Sequence, residues 1–431
     1  MRRAHLIFVL ALWLTPTAAS AQQAAEGPPR VGLDQAIQTA LENNPSLREA
    51  ASNLDVAELD RLNAIGDFLP SLSLGYGYST SSTARLDPTQ QSLTRTSYTL
   101  QLGASYDVFD GGRRFSSLES TRRGVSAEKA SQRQARYQTI LDVKSAFYNA
   151  VANRDLVQVE EDRVARQENQ LEFVRQQLEL GRSTRSDLLR SRVDLNNARL
   201  GLLNAENEAR ASTFRLAEAM GVADRVLPAE EATLEVGELP YRRDELERIA
   251  LQQGPTVESA RASFSAAESN VSVAQSTYLP SLSFSGGWAW QNNDFPPENR
   301  SWSVSLNGSY PLFNGFDRET QVSQARARAE AAQARVEAAE LELRSNLDDA
   351  YSQVESALAS VEIARQNVEL SSDDLRVTRE RYRLGLATIL DLQSAQITLQ
   401  EAEVELVRRQ FDYQVGLARL EGLLGRELAG R

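Results

Sequence analysis

Between Glu319 and Leu384, small apolar residues recur at alternating steps of three and four: Val322, Ala325, Ala329, Ala332, Val336, Ala339 and Leu343. The pattern resumes beyond Ala350 with Val354, Ala357, Val361, Ala364 and Val368. This is the heptad spacing of a coiled-coil helix, and the two four-residue steps from Asn346 to Ala350 to Val354 read as a stutter. No Pro or Gly interrupts the stretch before Gly385. At about 1.5 Å per residue such a helix spans roughly 100 Å, more than any compact core requires. The molecule is therefore expected to be elongated.

Elsewhere the period drops to two. Leu72, Leu74, Tyr76 and Tyr78 alternate with Ser71, Ser73, Gly75 and Gly77, and Tyr98, Leu100, Leu102, Ala104, Tyr106 and Val108 alternate with Thr99, Gln101, Gly103, Ser105 and Asp107. Later, Leu282, Phe284, Gly286, Trp288 and Trp290 form one face, and Trp302, Val304, Leu306, Gly308 and Tyr310 its partner. These stretches predict four strands, at about 71–80, 97–108, 281–290 and 301–312, apolar on one face and small or polar on the other. Aromatics crowd their ends: Tyr76, Tyr78, Tyr98, Trp288, Trp290 and Trp302 at one, and Phe68, Tyr106, Phe109, Tyr278, Tyr310 and Phe313 at the other. Two aromatic belts on strands of about ten residues suit the wall of an outer-membrane barrel. A soluble sandwich would explain the alternation, but neither the belts nor the uniformly Ser and Gly face.

The chain says all of this twice. Gly181, Thr184, Asp187 and Leu188 match Gly385, Thr388, Asp391 and Leu392 at an offset of 204, which also relates Tyr106 to Tyr310, Phe109 to Phe313, Gly111 to Gly315 and Gly221 to Gly425. Upstream the offset is 210: Pro45 pairs with Pro255, and the run from Phe68 to Ser73 with that from Tyr278 to Ser283. The difference falls between Ser71 and Tyr98, so that connection is longer in the first copy. Two structural repeats follow, 22–225 and 226–431, each with a helix, two strands, a long helix (115–180 or 319–384) and a return helix (185–220 or 389–424). Asn43, Asn44 and Pro45 interrupt the first helix, which runs from Leu33 to Gly66, and the acidic stretch from Val222 to Pro240 connects the repeats. Four strands cannot close a sheet in hydrocarbon, where unpaired backbone groups go unsatisfied, so several chains must share one barrel. The arithmetic allows 8, 12 or 16 strands.

Composition narrows the chemistry. Arg2 and Arg3 precede an apolar run from Leu6 to Leu14 and the small residues Ala19, Ser20 and Ala21, which together read as a secretory signal over residues 1–21. The run is too short to span a bilayer as a helix. The only histidine, His5, would leave with the signal, and there is no cysteine. That removes His- and Cys-dependent catalysis, His/Cys metal sites and disulfides. Without Arg2 and Arg3, 45 basic residues face 59 acidic ones, so nucleic acid is not an expected partner. No cofactor motif stands out, and the carboxylates spread along helical faces form no constellation suited to hydrolysis.

Gly181 and Gly385 stand where a left-handed residue must reverse a helix. Thr184 and Thr388 can cap the return helices, with Asp187 and Asp391 completing capping boxes. Between cap and glycine lie Arg182, Ser183, Leu386 and Ala387.

Taken in order, the Phe68 and Tyr278 runs into strands, the runs from Val108 to Gly112 and Pro311 to Gly315 into long helices, and the Gly/Thr/Asp/Leu turns resemble the TolC family of outer-membrane efflux proteins. The resemblance covers essentially the whole mature chain. It implies a mainly helical protomer giving four strands to a 12-stranded β-barrel in the outer-membrane lipid of a homotrimer, continued by a periplasmic helical barrel. It also implies a passive export duct rather than an enzyme, docked to a periplasmic adaptor (membrane fusion protein) and an inner-membrane pump or ABC exporter. A periplasmic coiled-coil adaptor or scaffold is the rival reading, and it leaves the belted strands unexplained. At the tips, Asp391 matches an acidic constriction position, Tyr382 an aromatic of the latch, and Ser186 and Asp187 its polar partners. Ser394 stands where a second acidic residue is found and Ala387 where a bridging Arg is found, so the gate is expected to be weaker or built with Arg182 or Arg185. Arg182, Ser183, Leu386 and Ala387 are the expected adaptor contacts.

Overall fold

The computed structural model describes residues 28–87, 92–237 and 241–428. The expected signal, residues 1–21, lies outside them, as do residues 238–240 of the connector. The first repeat comprises β1 (Arg30–Val31), α1 (Leu33–Asn43), α2 (Pro45–Gly66), β2 (Ser71–Asp87), β3 (Ser92–Asp110), α3 (Arg113–Glu179) and α4 (Arg185–Met220). The second comprises β4 (Leu227–Pro228), α5 (Arg243–Gln253), α6 (Pro255–Gln275), a 3₁₀ turn at Ser276–Tyr278, β5 (Ser281–Asn292), β6 (Asn299–Ser309), α7 (Asp317–Arg383) and α8 (Ile389–Leu424). Among the described residues no helix is long and apolar enough to cross a membrane.

The break between α1 and α2 has a local cause. Pro45 cannot donate to the preceding turn, and Asn44 caps the new helix by accepting from the Ser46 amide at 2.9 Å. The long helices α3 and α7 each contain 67 residues. On the strand side, α2 packs on α3, α3 on α6 and α6 on α7; beyond the middle, α4 packs on α3, α3 on α8 and α8 on α7. These six helices thus form a wall two repeats wide. The buried residues of α7 include Val322, Ala325, Ala332, Ala339, Leu343, Ala350, Val354, Ala357, Val361 and Ala364, small side chains that let backbones approach closely.

The sheet has the order β2-β3-β5-β6, antiparallel throughout. Its registers obey the repeat: Ser71 opposite Ser105 in the first hairpin corresponds to Ser281 opposite Ser309 in the second. Leu74 opposite Leu102, Leu102 opposite Trp288 and Trp288 opposite Trp302 run across one face, while Ser73 opposite Gly103, Gly103 opposite Gly287 and Gly287 opposite Ser303 run across the other. The apolar face is left bare, with Leu72, Leu74, Trp302, Val304 and Leu306 all exposed. The outer belt assembles as Tyr78 beside Tyr98, with ring centroids 5.1 Å apart.

Three strand expectations change, the simplest being the last strand, expected over 301–312, which spans Asn299–Ser309 and leaves Tyr310 to Leu312 outside the sheet. The first hairpin runs to Asp87 and back from Ser92, past the expected limits of 80 and 97, with an irregularity between Thr80 and Arg85. From Ser79 to Thr83 both faces are polar, so alternation disappears while the backbone ladder continues. A second irregularity lies between Asp107 and Phe109, where Val108 is skipped and Phe109 pairs with Leu282. Phe109, not Val108, therefore continues the apolar face, as a bulge requires.

The connector is packed rather than free. β4 pairs in parallel with β1, and Val226 and Leu234 are buried with Phe147, Val151 and Leu216. Arg154 donates to the carbonyls of Ala229 (3.0 Å) and Ala232 (2.7 Å), and Tyr413 to that of Gly237 (2.7 Å). A girdle thus forms round the middle of the helical wall. Beside it Lys144 is 2.5 Å from Glu421 in a nearly enclosed ion pair.

Candidate functional site: the two helical tips

Both long helices end in the same way. At the first tip the Arg182 amide donates to Gln177 O (2.8 Å) and the Gly181 amide to Leu178 O (3.0 Å). At the second, Leu386 donates to Arg381 O (2.8 Å) and Gly385 to Tyr382 O (3.0 Å). These are paired Schellman bonds, which need a left-handed residue after the cap, and Gly181 and Gly385 have φ of 69° and 75°.

The return helices begin with reciprocal caps. Thr184 Oγ1 accepts from the Asp187 amide (3.1 Å), while Asp187 Oδ2 accepts from the Thr184 amide (3.0 Å) and hydroxyl (2.8 Å). Thr388 and Asp391 repeat the arrangement at 3.2, 2.7 and 2.8 Å. Ser183 adds a third donor to Asp187 Oδ2 at 3.2 Å. The two aspartates are not equivalent in setting. Asp187 is half-buried and Asp391 exposed.

Partial burial pushes the Asp187 carboxyl up, but the hydrogen bonds from Thr184 and Ser183 and the charge of Arg190 together bring it below the ordinary carboxylate range. The Thr388 amide and hydroxyl lower Asp391, helped by Arg381. A depressed folded-state value means stabilisation that is fully present above the unfolded value of about 3.9 and lost as pH falls through the folded one. Amide exchange in both turns, corrected for its intrinsic pH dependence, should therefore be steady from pH 7 to about 4 and rise below that. The rise should vanish in Thr184→Ala/Thr388→Ala, whose turns are already loosened at neutral pH. An unchanged acid response in that variant would show that the caps do not control these turns.

The other expected gate residues divide. Tyr382 is half-buried, its ring 5.9 Å from that of Phe173 on α3. Burial raises its hydroxyl pKa, and the charge of Asp187 raises it further, so Tyr382 and Asp187 share one neighbourhood across the wall. Ser186, Ser394, Arg182 and Leu386 are exposed, and Ala387 is partly covered. Within one chain, and among the described residues, neither Arg182 nor Arg185 forms an ion pair; Arg190 is the cation that acts on Asp187.

Sequence reasoning missed the seam behind the tips. There α8 meets α3 and α4 through polar side chains: Gln393 donates to Asp194, Gln167 to Gln396 (3.0 Å), Gln400 to Glu160 (2.7 Å) and Arg166 to Glu403 (2.9 Å). Burial lifts the Asp194 carboxyl above its ordinary value, more than the bond from Gln393 and the charges of Arg190 and Arg163 lower it. Glu160, Gln167, Gln170 and Val174 are all buried and spaced by sevens, threes and fours. That spacing was readable in the sequence, though with polar residues in core positions.

The two repeats, the bare apolar sheet face and the twin capped tips agree with the comparisons. Residues 36–222 and 246–426 match the family described as "Outer membrane efflux protein". Protein CyaE of Bordetella pertussis is 27% identical over 312 residues, covering 70% of this chain and 64% of that protein, less than two thirds of its length. Outer membrane protein TolC of Vibrio cholerae is 24% identical over 420 residues, covering 91% and 90% of the two chains. Among solved structures, CusC superposes with a TM-score of 0.80 at 21% identity, over 94% of this chain and 96% of that one, which speaks for the fold. With both repeats matched in order, the chain belongs to the outer membrane efflux protein family.

Proposed function

We propose that this protein is the passive outer-membrane duct of a tripartite efflux or type I secretion assembly. Three copies would close a twelve-stranded barrel, and their helices would carry the lumen into the periplasm toward an adaptor and an inner-membrane pump or ABC exporter. One observation supports this above all. The sheet has a bare apolar face, a Ser and Gly face opposite, and two free edge strands, β2 and β6. A periplasmic scaffold would expose that apolar face to water with nothing gained. Family membership speaks for transport rather than catalysis. The test is fractionation followed by sizing: the protein should be found in outer membranes and, in detergent, as a complex of three chains conducting in planar bilayers. Solubility as a single chain without detergent would overturn the reading.

At the tips, Asp391 is read as lining the narrowest part of the resting channel, with Asp187 and Tyr382 forming the latch and Ser186 and Ser394 its polar surroundings. The exposed carboxylate of Asp391, six residues past the tip glycine, motivates this. Asp391→Ala should raise single-channel conductance and reduce cation preference; unchanged conductance and selectivity would remove Asp391 from the constriction. Arg182, Ser183, Leu386 and Ala387, on the end of an end-on tube, are read as adaptor contacts. Arg182→Glu should weaken export and adaptor cross-linking, and a variant that keeps both would exclude that residue.

A further inference from the structure

Among the described residues, Phe316 is the only non-glycine residue with a positive φ, at 66°. Left-handed backbone is disfavoured for any residue carrying a Cβ, and the repeat counterpart of Phe316 is Gly112, with φ of 79°. A glycine would serve at the turn, so the ring has to be explained. It does not fill a core. Phe316 is 64% exposed and packs edge-on against Phe313, with centroids 5.5 Å apart, and Phe313 is itself 74% exposed. Leu312 beside them is 86% exposed.

The repeat shows which way this cluster faces. Phe313 corresponds to Phe109, which pairs with Leu282 on the apolar face of the sheet. The cluster therefore continues the face that meets lipid. One turn on, the Arg318 guanidinium lies over Tyr278 at 5.2 Å and marks where the polar surface begins.

A neighbouring copy is a poor candidate to cover Phe316. The first repeat is already flanked by the second, yet a Cβ on Gly112 would meet nothing within 4 Å. If a second copy packs on the second repeat as the second repeat packs on the first, the Cβ of Phe316 stays uncovered. We propose that Phe316, with Phe313, is a membrane anchor inserted in the interfacial zone of the periplasmic leaflet, fixing the depth of the second repeat. Its occupant is phospholipid, and the strained backbone is what holds the ring outward. This rests on the reading of the sheet as a membrane wall.

The absence of cysteine allows a direct test. Phe316→Cys, Leu306→Cys on the mid-strand apolar face and Glu330→Cys on exposed α7 would each carry a bimane label in phosphatidylcholine vesicles containing nitroxide lipids. Position 330 is about 20 Å farther along the helix. Label at 316 should be quenched several-fold more than at 330, and more by a nitroxide near the headgroup than by one deep in the chain. At 306 the deep nitroxide should quench more. Quenching at 306 but not at 316 would refute the anchor and leave the membrane wall intact; no quenching at 306 would remove both. Phe316→Gly should keep or raise the thermal midpoint in detergent, because glycine relieves the turn. A clear fall would mean that the ring packs within the protein, and would also overturn the proposal.

Discussion

Cysteines placed at Ser305 and Ser79 should oxidise into disulfides between different copies of the chain, converting most of the protein into covalent oligomers. The expectation follows from the repeat. Within one chain, β3 of the first repeat pairs with β5 of the second, with Gln101 opposite Ala289. Adding 204 to the first residue and subtracting 210 from the second gives Ser305 on β6 opposite Ser79 on the next copy's β2. Both residues are exposed on edge strands whose outer sides pair with no strand among the described residues. Opposed residues in an antiparallel pair lie about 4.5–5.5 Å apart at Cα, inside the range a disulfide spans. Moving one cysteine two positions, to Gly77 or Ser81, shifts it by roughly 7 Å along the strand, beyond easy reach. Strong cross-linking of Ser305 with either shifted partner, or with none while wild-type oligomers persist, would show that the seam between copies does not copy the seam between repeats.

Much of this architecture was legible because its parts carry different periods. Alternation from Leu72 to Tyr78 and heptads from Val322 to Val368 cannot be confused, and the Gly/Thr/Asp turns mark reversals through backbone chemistry alone. The departures share a physical cause. Ser79 to Thr83 lie past the belt, where neither face need be apolar, so the strand continues without its signature. Val108 was assigned by alternation alone, which a bulge breaks by one residue. The connector looked like a linker because its burial depends on groups far away in sequence, such as Arg154 and Tyr413. The polar seam of Gln167, Gln396 and Asp194 escaped notice because the packing of α8 on α3 and α4 is a property of several helices, while periodicity describes one. At the candidate gate, the capping roles of Asp187 and Asp391 could be read from three-residue spacing; the nearness of Tyr382 to Phe173 and Asp187 could not.

Gly111→Ala should be among the most damaging single changes in the molecule, and Gly315→Ala should damage assembly instead. Both glycines have left-handed backbone, at φ of 70° and 69°, so each pays about 1–2 kcal/mol for a Cβ. Their surroundings differ. Gly111 is buried against the 3₁₀ turn of the second repeat, and a Cβ there would stand 2.4 Å from the Ser276 carbonyl oxygen and 2.9 Å from Leu279 Cβ. Backbone cannot yield as a side-chain tip can, so Gly111→Ala forces the two repeats apart and should cost about 4 kcal/mol or more. At Gly315 a Cβ meets nothing within 4 Å in the single chain. By the repeat, however, Ser276 corresponds to Gly66, whose carbonyl accepts from Leu69 as that of Ser276 accepts from Leu279. The Gly66 carbonyl of the next copy should therefore stand over Gly315 in the closed barrel. Gly111→Ala is expected to leave little folded protein in outer membranes, whereas Gly315→Ala should yield folded chains that oligomerise poorly. Equal and mild effects at both positions would contradict this, because only a junction that stays open after assembly could tolerate a Cβ at Gly315.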